Sequence, residues 1–161
     1  MKDKLYNHFK RWNSKTFTRV LVLVLLGLDI LNGQFLRLSW IEKSSSRKMV
    51  NLVSSQGELS VSELSHDTMT ELLAMIDNTF LFFLFIILLN NLFFYIFTLR
   101  GKNWAHSYLV FYTLTGALFS LVMVVDSFGM GSFWGVFNIA SILLYTYFFL
   151  GMKIVPFETK K

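Results

Sequence analysis

The chain has 161 residues, 54% of them hydrophobic, with a formal net charge of +5 and no cysteine. The missing thiols exclude disulfides, thiolate metal sites, cysteine nucleophiles and S-palmitoylation. The apolar content is too high for an ordinary soluble domain of this size. The basic residues flank apolar stretches, which assigns the charge to membrane topology rather than to nucleic acid.

The first segment, 1–15, carries Lys2, Lys4, Lys10, Arg11 and Lys15. Leu5, Phe9 and Trp12 recur at i, i+4 and i+7, with Tyr6 beside them. That spacing predicts a basic amphipathic helix lying on an anionic membrane surface. The alternative is a basic tail that only enforces orientation.

An apolar run over 17–38 follows, close to the ~20 residues a helix needs to cross a ~30 Å hydrocarbon layer. Its basic start resembles a signal peptide. The nearest small-x-small pair, Ser44 and Ser46, lies beyond Arg37, Glu42 and Lys43, so a retained span is expected. Asp29 falls ~15 Å along the helix from Arg19, near mid-span. A charge there costs about 2.5–3.5 kcal/mol on insertion scales, so this face should look into a bundle or a wet cavity. Asn32 and Gly33 share that face.

The connection 39–72 is the longest. Its first half is charged and rich in serine; after Gly57 the pattern turns helical. Ser60-x-x-Glu63 and Thr68-x-x-Glu71 match the capping box, so a short helix or an outward extension of the next span is expected. Glu63, Asp67 and Glu71 form a row with His66 alongside, which reads as a solvated face before it reads as a cation site.

The second span, 73–99, opens with Asp77 in its first turn, where the helix dipole favours an anion. Asn90 and Asn91 sit in its other half, where amides hydrogen-bond between helices. Asp77 and Asn91 share one face, but Leu81, Leu84 and Leu88 interrupt any polar path between them. The third span, 108–128, offers Thr113, Gly116, Ala117 and Ser120 as a small packing face and ends near Asp126. The fourth, 133–155, begins with Gly131-x-x-x-Gly135, a spacing that permits close helix approach, and carries Asn138. The connections at 101–106 and 129–132 are short, which forces antiparallel neighbours. Spans two to four should therefore form a tight unit, with the first less constrained.

Eleven Lys and Arg residues fall on the side of the termini and the 101–106 loop; four, Arg37, Lys43, Arg47 and Lys48, fall on the other. The positive-inside rule then places both termini in the cytoplasm. The expected fold is an all-α membrane protein: one domain over 1–161, four transmembrane helices, and a cytoplasmic tail at 156–161. The cysteine-free outer loop and the absence of any Asn-x-Ser/Thr sequon point to a bacterial inner membrane.

Asp29, Asn32, Asp77, Asp126 and Asn138 form the candidate binding set, an intramembrane polar cluster. Asn138 lies at a depth similar to that of Asn32, which makes it a candidate partner for Asp29. The three carboxylates read either as structural and interfacial groups or as the lining of an outward cavity that binds a cation or relays protons. There is no His-Glu-x-x-His, Gly-x-Ser-x-Gly, Walker loop or dinucleotide glycine motif. His8, His66 and His106 lie in separate segments, two on one side and one on the other, so no metal site and no cofactor is expected.

Leu28-Asp29 in the first span, Gly116-Ala117-Leu118 in the third and Phe137-Asn138-Ile139-Ala140 in the fourth, with the helix layout, resemble the lipoprotein signal peptidases. That family cleaves with two aspartates. One directly follows the Phe-Asn-x-Ala fragment, where this chain has Ser141. The other follows a Gly-Asn pair in the third helix; Phe119-Ser120 stands there instead, with only Asp126 as a substitute. The resemblance covers about a third of the chain and implies a degenerate relative without protease activity.

The leading expectation is a non-enzymatic accessory or interaction subunit. It would contact the lipid bilayer and either a membrane-protein partner or further copies of itself. An oligomeric ion- or proton-coupled transporter or channel subunit using Asp29 is the alternative. A membrane-embedded enzyme, an aspartyl peptidase or one acting on lipid with Asp29 and Asp126 as its acids, is the next.

Overall fold

The computed structural model describes residues 2–45 and 66–158. Among them every regular element is an α-helix: α1 Lys2–Lys10, α2 Ser14–Ser45, α3 His66–Leu99, α4 Asn103–Gly129 and α5 Ser132–Ile154. Four of these helices hold stretches long and apolar enough to cross a membrane: Ser14–Ile41, Ala74–Leu99, Asn103–Gly129 and Ser132–Ile154. The shortest has 23 residues, about 35 Å of helix against a ~30 Å hydrocarbon layer.

Both helices flanking the long connection outrun their apolar runs: α2 continues to Ser45 and α3 is already helical at His66. Hydropathy marks where lipid can lie. It does not mark where the backbone ladder must stop, and polar helix formers continue that ladder into water. Thr68-x-x-Glu71 therefore lies inside a running helix and is not its start. Ser60-x-x-Glu63 and the remainder of 46–65 lie outside the described residues.

Local chemistry fixes the breaks. The Asn13 Oδ1 accepts the Lys15 N–H at 2.9 Å while its carbonyl accepts the Phe17 N–H at 2.8 Å, which caps α2 and separates it from α1. After α3, Gly101 takes φ +76°. Its N–H bonds the Thr98 carbonyl, and that of Lys102 bonds the Phe97 carbonyl. This pair of bonds is the Schellman arrangement, which favours glycine because its key residue is left-handed. α5 ends because Pro156 forces Val155 into extended backbone, φ −73° and ψ 121°.

The described residues fall into two compact units: 2–28 with 90–158, and 29–45 with 66–89. α2 and α3 contribute to both. In the larger unit, Phe17, Leu21, Leu25 and Leu28 of α2 join Phe9 of α1, Tyr95 of α3, Leu109 of α4, and Tyr145, Phe148 and Met152 of α5 in one apolar core. The division differs from a unit built of spans two to four alone. The first half of α2 supplies four of these core side chains, because their spacing keeps one apolar stripe on one helix face.

α4 and α5 form an antiparallel pair across the Met130–Gly131 turn. Thr113, Ser120 and Ser127 of α4 and Gly135, Asn138 and Ser141 of α5 are buried. Rings sit where glycines leave room: Phe128 lies over Gly135, Tyr145 over Gly116, and Phe17 and Phe9 over Gly151. The Gly131/Gly135 spacing divides its roles. Gly135 provides close approach, whereas Gly131 at φ +130° turns the chain and has open space around it.

α1 also departs from expectation. It ends at Lys10, two residues short of Trp12. Phe9 is wholly buried, edge-on to Phe17 at 6.2 Å and against Tyr147 at 4.7 Å. This part of the aromatic face is covered by α2 and α5, because the ring fills the space left by the absent Gly151 side chain.

In the smaller unit Leu84 of α3 packs where Gly33 of α2 has no side chain. The remaining surface of α3 is apolar nearly all round, with Phe82, Phe83, Phe85, Ile86, Ile87 and Leu89 exposed. A helix of that kind belongs in lipid or against other helices.

Candidate functional site

The polar groups of the apolar helices are the candidate site, and they separate between the two units. Asp29, Asn32 and Asp77 belong to the smaller one; Asp126 and Asn138 belong to the larger one.

Asp29 is 6% exposed, near the middle of the apolar run of α2, and Asn32 is half-buried one turn further on. Asp77 is held by a forked contact. The Arg37 Nε donates to Oδ1 and Nη2 donates to Oδ2, both at 2.8 Å. The two side chains are 32% and 25% exposed. The planar guanidinium presents two parallel N–H groups to the two carboxylate oxygens, the strongest geometry open to this pair. Trp40 and Phe80, each three residues further along the same two helices, stack on one another at 6.3 Å and 25°.

Sequence reading placed Arg37 as a flanking charge and Asp77 as an anion at a helix start, and so missed the pair. The signal was present. Opposite charges sit within a turn of the facing ends of two successive spans, at matching depth.

In the larger unit Asp126 is exposed. Asn138 is fully buried; its Nδ2 donates to the Trp134 carbonyl at 3.2 Å, and its Oδ1 has no hydrogen-bond partner among the described residues. Ser141 is buried and donates to the Phe137 carbonyl at 2.9 Å. Thr113 donates in the same way to Leu109. These hydroxyls are satisfied by their own helix, which lets a small polar side chain face a neighbour without cost to it.

Asn91, 2% exposed, joins two helices. The Tyr108 hydroxyl donates to its Oδ1 at 2.9 Å, and its Nδ2 donates to the Tyr112 hydroxyl at 3.2 Å. Asn90 adds a longer bond to Tyr108 at 3.4 Å. Phe94 stacks on Tyr108 at 3.5 Å, which orients the phenol toward the amide. The tyrosines at i and i+4 of α4 were the sequence signal, and they passed as part of an apolar run.

Among the described residues no group of three or more His, Asp or Glu side chains is placed to hold a metal ion. In the acidic row before the second span, Glu63 lies outside the described residues and Glu71 is exposed. His8 lies 2.9 Å from the Tyr147 hydroxyl, and His106 stacks on Phe157 at 4.2 Å. Chemically, this inventory makes helix-to-helix bonds: an ion-pair fork in one unit and an amide–phenol network in the other. In comparisons with family models, with curated proteins and with solved structures, the chain has no match.

Proposed function

We propose that the chain is a small integral membrane protein acting as a non-enzymatic accessory or interaction subunit, in a bacterial inner membrane with both termini cytoplasmic. The carrying observation is how its polar groups are engaged. The oxygens of Asp77 are taken by Arg37, and the Asn91 amide by Tyr108 and Tyr112. Groups tied up between helices support a scaffold over a path or a catalytic centre. The apolar surface of α3 supports a role in which lipid or a partner's helices cover it.

The deciding experiment is purification of the tagged full chain in mild detergent, with the mass and composition of the particle measured. A stoichiometric membrane-protein partner is expected. A pure homo-oligomer would favour transport, and bound lipid or lipoprotein precursor would favour an enzyme. Compartment-sensitive reporters at Ser46 and Lys161 should report opposite sides. The same side for both would overturn the topology.

Asp29 favours one second reading, the ion- or proton-coupled subunit. A carboxylate 6% exposed within an apolar helix is the residue such a protein would use. For the signal-peptidase resemblance, Ser141 supports the form without protease activity. Its hydroxyl is buried and bonded to its own helix where the family carries an aspartate.

A further inference from the structure

The N-terminal end of α2, the last turn of α3 and the segment after α5 line an open cavity of about 110 Å³. On this measure one water needs about 10–15 Å³, so a tetrahedral oxyanion has room there. Two cations line the cavity, Lys15 and Arg19, with Ser14, Thr18 and a single acid, Glu158. Arg19 has no ion-pair partner among the described residues. Lys15 meets Glu158 loosely, Nζ to Oε2 at 3.7 Å, with side chains 66% and 56% exposed. A pair that open holds its geometry weakly and gives way to a better anion. The Thr18 hydroxyl donates to the Ser14 carbonyl at 2.9 Å, which ties down the first turn of α2 along the cavity wall.

We propose that this cavity binds a phosphate oxyanion, with the Arg19 fork on two of its oxygens, the Lys15 ammonium on a third, and Glu158 as the internal carboxylate it displaces from Lys15. A planar fork plus a mobile point charge is the combination that suits phosphate. The cavity lies at the ends of the apolar stretches Ser14–Ile41 and Ala74–Leu99. On the integral-membrane reading, on which this inference rests, that is headgroup depth. The phosphate can then belong to an anionic glycerophospholipid or be free in the water.

The test uses the purified full chain in an uncharged detergent. Native mass spectrometry with dioleoylphosphatidylglycerol reads lipid binding, and thermal melting with inorganic phosphate reads the free ion. One phosphatidylglycerol per chain, bound in preference to dioleoylphosphatidylcholine, assigns the lipid; a melting rise with phosphate alone assigns the free ion. Arg19→Gln and Lys15→Gln should each weaken the observed ligand roughly tenfold, the loss of one charge-assisted contact. Glu158→Gln should strengthen it, which a misfolded variant would not do. Lys153→Gln, a basic change at the end of α5 outside the cavity lining, should leave affinity within about twofold. Equal weakening by Arg19→Gln and Lys153→Gln, or weaker binding in Glu158→Gln, would reduce the effect to general surface charge and overturn the site. So would the absence of binding by either ligand. None of these readouts depends on a partner or on sidedness, so their failure leaves the accessory reading standing.

Discussion

The two units hold their helices by different chemistry. The larger has rings set over glycines and an uncharged amide–phenol network. Among the described residues the smaller shows a forked ion pair, a stacked ring pair and a Leu-on-Gly contact. The difference matters because lipid tails are as apolar as leucine, so apolar contact alone gives helices in a bilayer no preference for one another. Preference has to come from close approach or from polar bonds. Among the described residues the larger unit shows it through uncharged contacts, and the smaller adds a charged one.

The largest expected effect tests close approach. Gly135→Leu has no room under Phe128 and should lower the stability of the detergent-purified protein by about 1–3 kcal/mol, the usual range for overpacking. Leu143→Ala, at a side chain 66% exposed, should barely move the melt. Equal shifts would show that the glycine face does not hold α4 against α5.

Next comes the fork. Asp77→Ala leaves the Arg37 guanidinium without its carboxylate. It should cost about 1–2 kcal/mol, between the values for exposed and for buried pairs because the side chains are a quarter to a third exposed. The reversed pair, Arg37→Asp with Asp77→Arg, should recover most of that loss in the same melt. Failure of the reversal would mean that the fork's geometry, and not its charge, is what the smaller unit needs.

The amide network should respond less. Asn91→Leu removes two interhelical bonds worth about 0.6 kcal/mol each on average, so about 1 kcal/mol in total is expected. A drop as large as that of Asp77→Ala would erase the contrast between the units.

The smallest expected effect is at Asp29. Asp29→Asn keeps the shape and the hydrogen-bonding capacity of the side chain, and the melt should stay within about 0.5 kcal/mol. If such a well-folded variant lost its partner or its cellular role, Asp29 would be a working carboxylate and transport would become the better reading.

Much of the architecture was legible in order of residues. A run of apolar residues with the length of a bilayer names a helix without knowledge of its neighbours, because lipid leaves the backbone no partner but itself. Gly101 and Pro156 announce their breaks for equally local reasons. The continuation of α2 to Ser45 was less legible, since the apolar signal stops where lipid stops, whereas an outward extension of the second span was among the expectations and the helix is already present at His66. The N-terminal half of α2 was expected to be less constrained than spans two to four, because a stripe at 17, 21, 25 and 28 shows a packing face without showing what packs on it.

The candidate set shows the same boundary. Asp29, Asn32, Asp77, Asp126 and Asn138 were found by rarity alone: charge and amide stand out in an apolar run. Rarity does not reveal partners. That Asp77 answers to Arg37, 40 residues earlier, that Asn91 is shared by two tyrosines, and that Phe9 is covered by Tyr147 were decided by tertiary packing. The sequence by itself determined which segments are helical and apolar, since hydropathy and backbone satisfaction act along the chain. Which side chains meet is set by interhelical distance, by the room a glycine leaves and by the direction a side chain leans, and these exist only once the helices lie side by side.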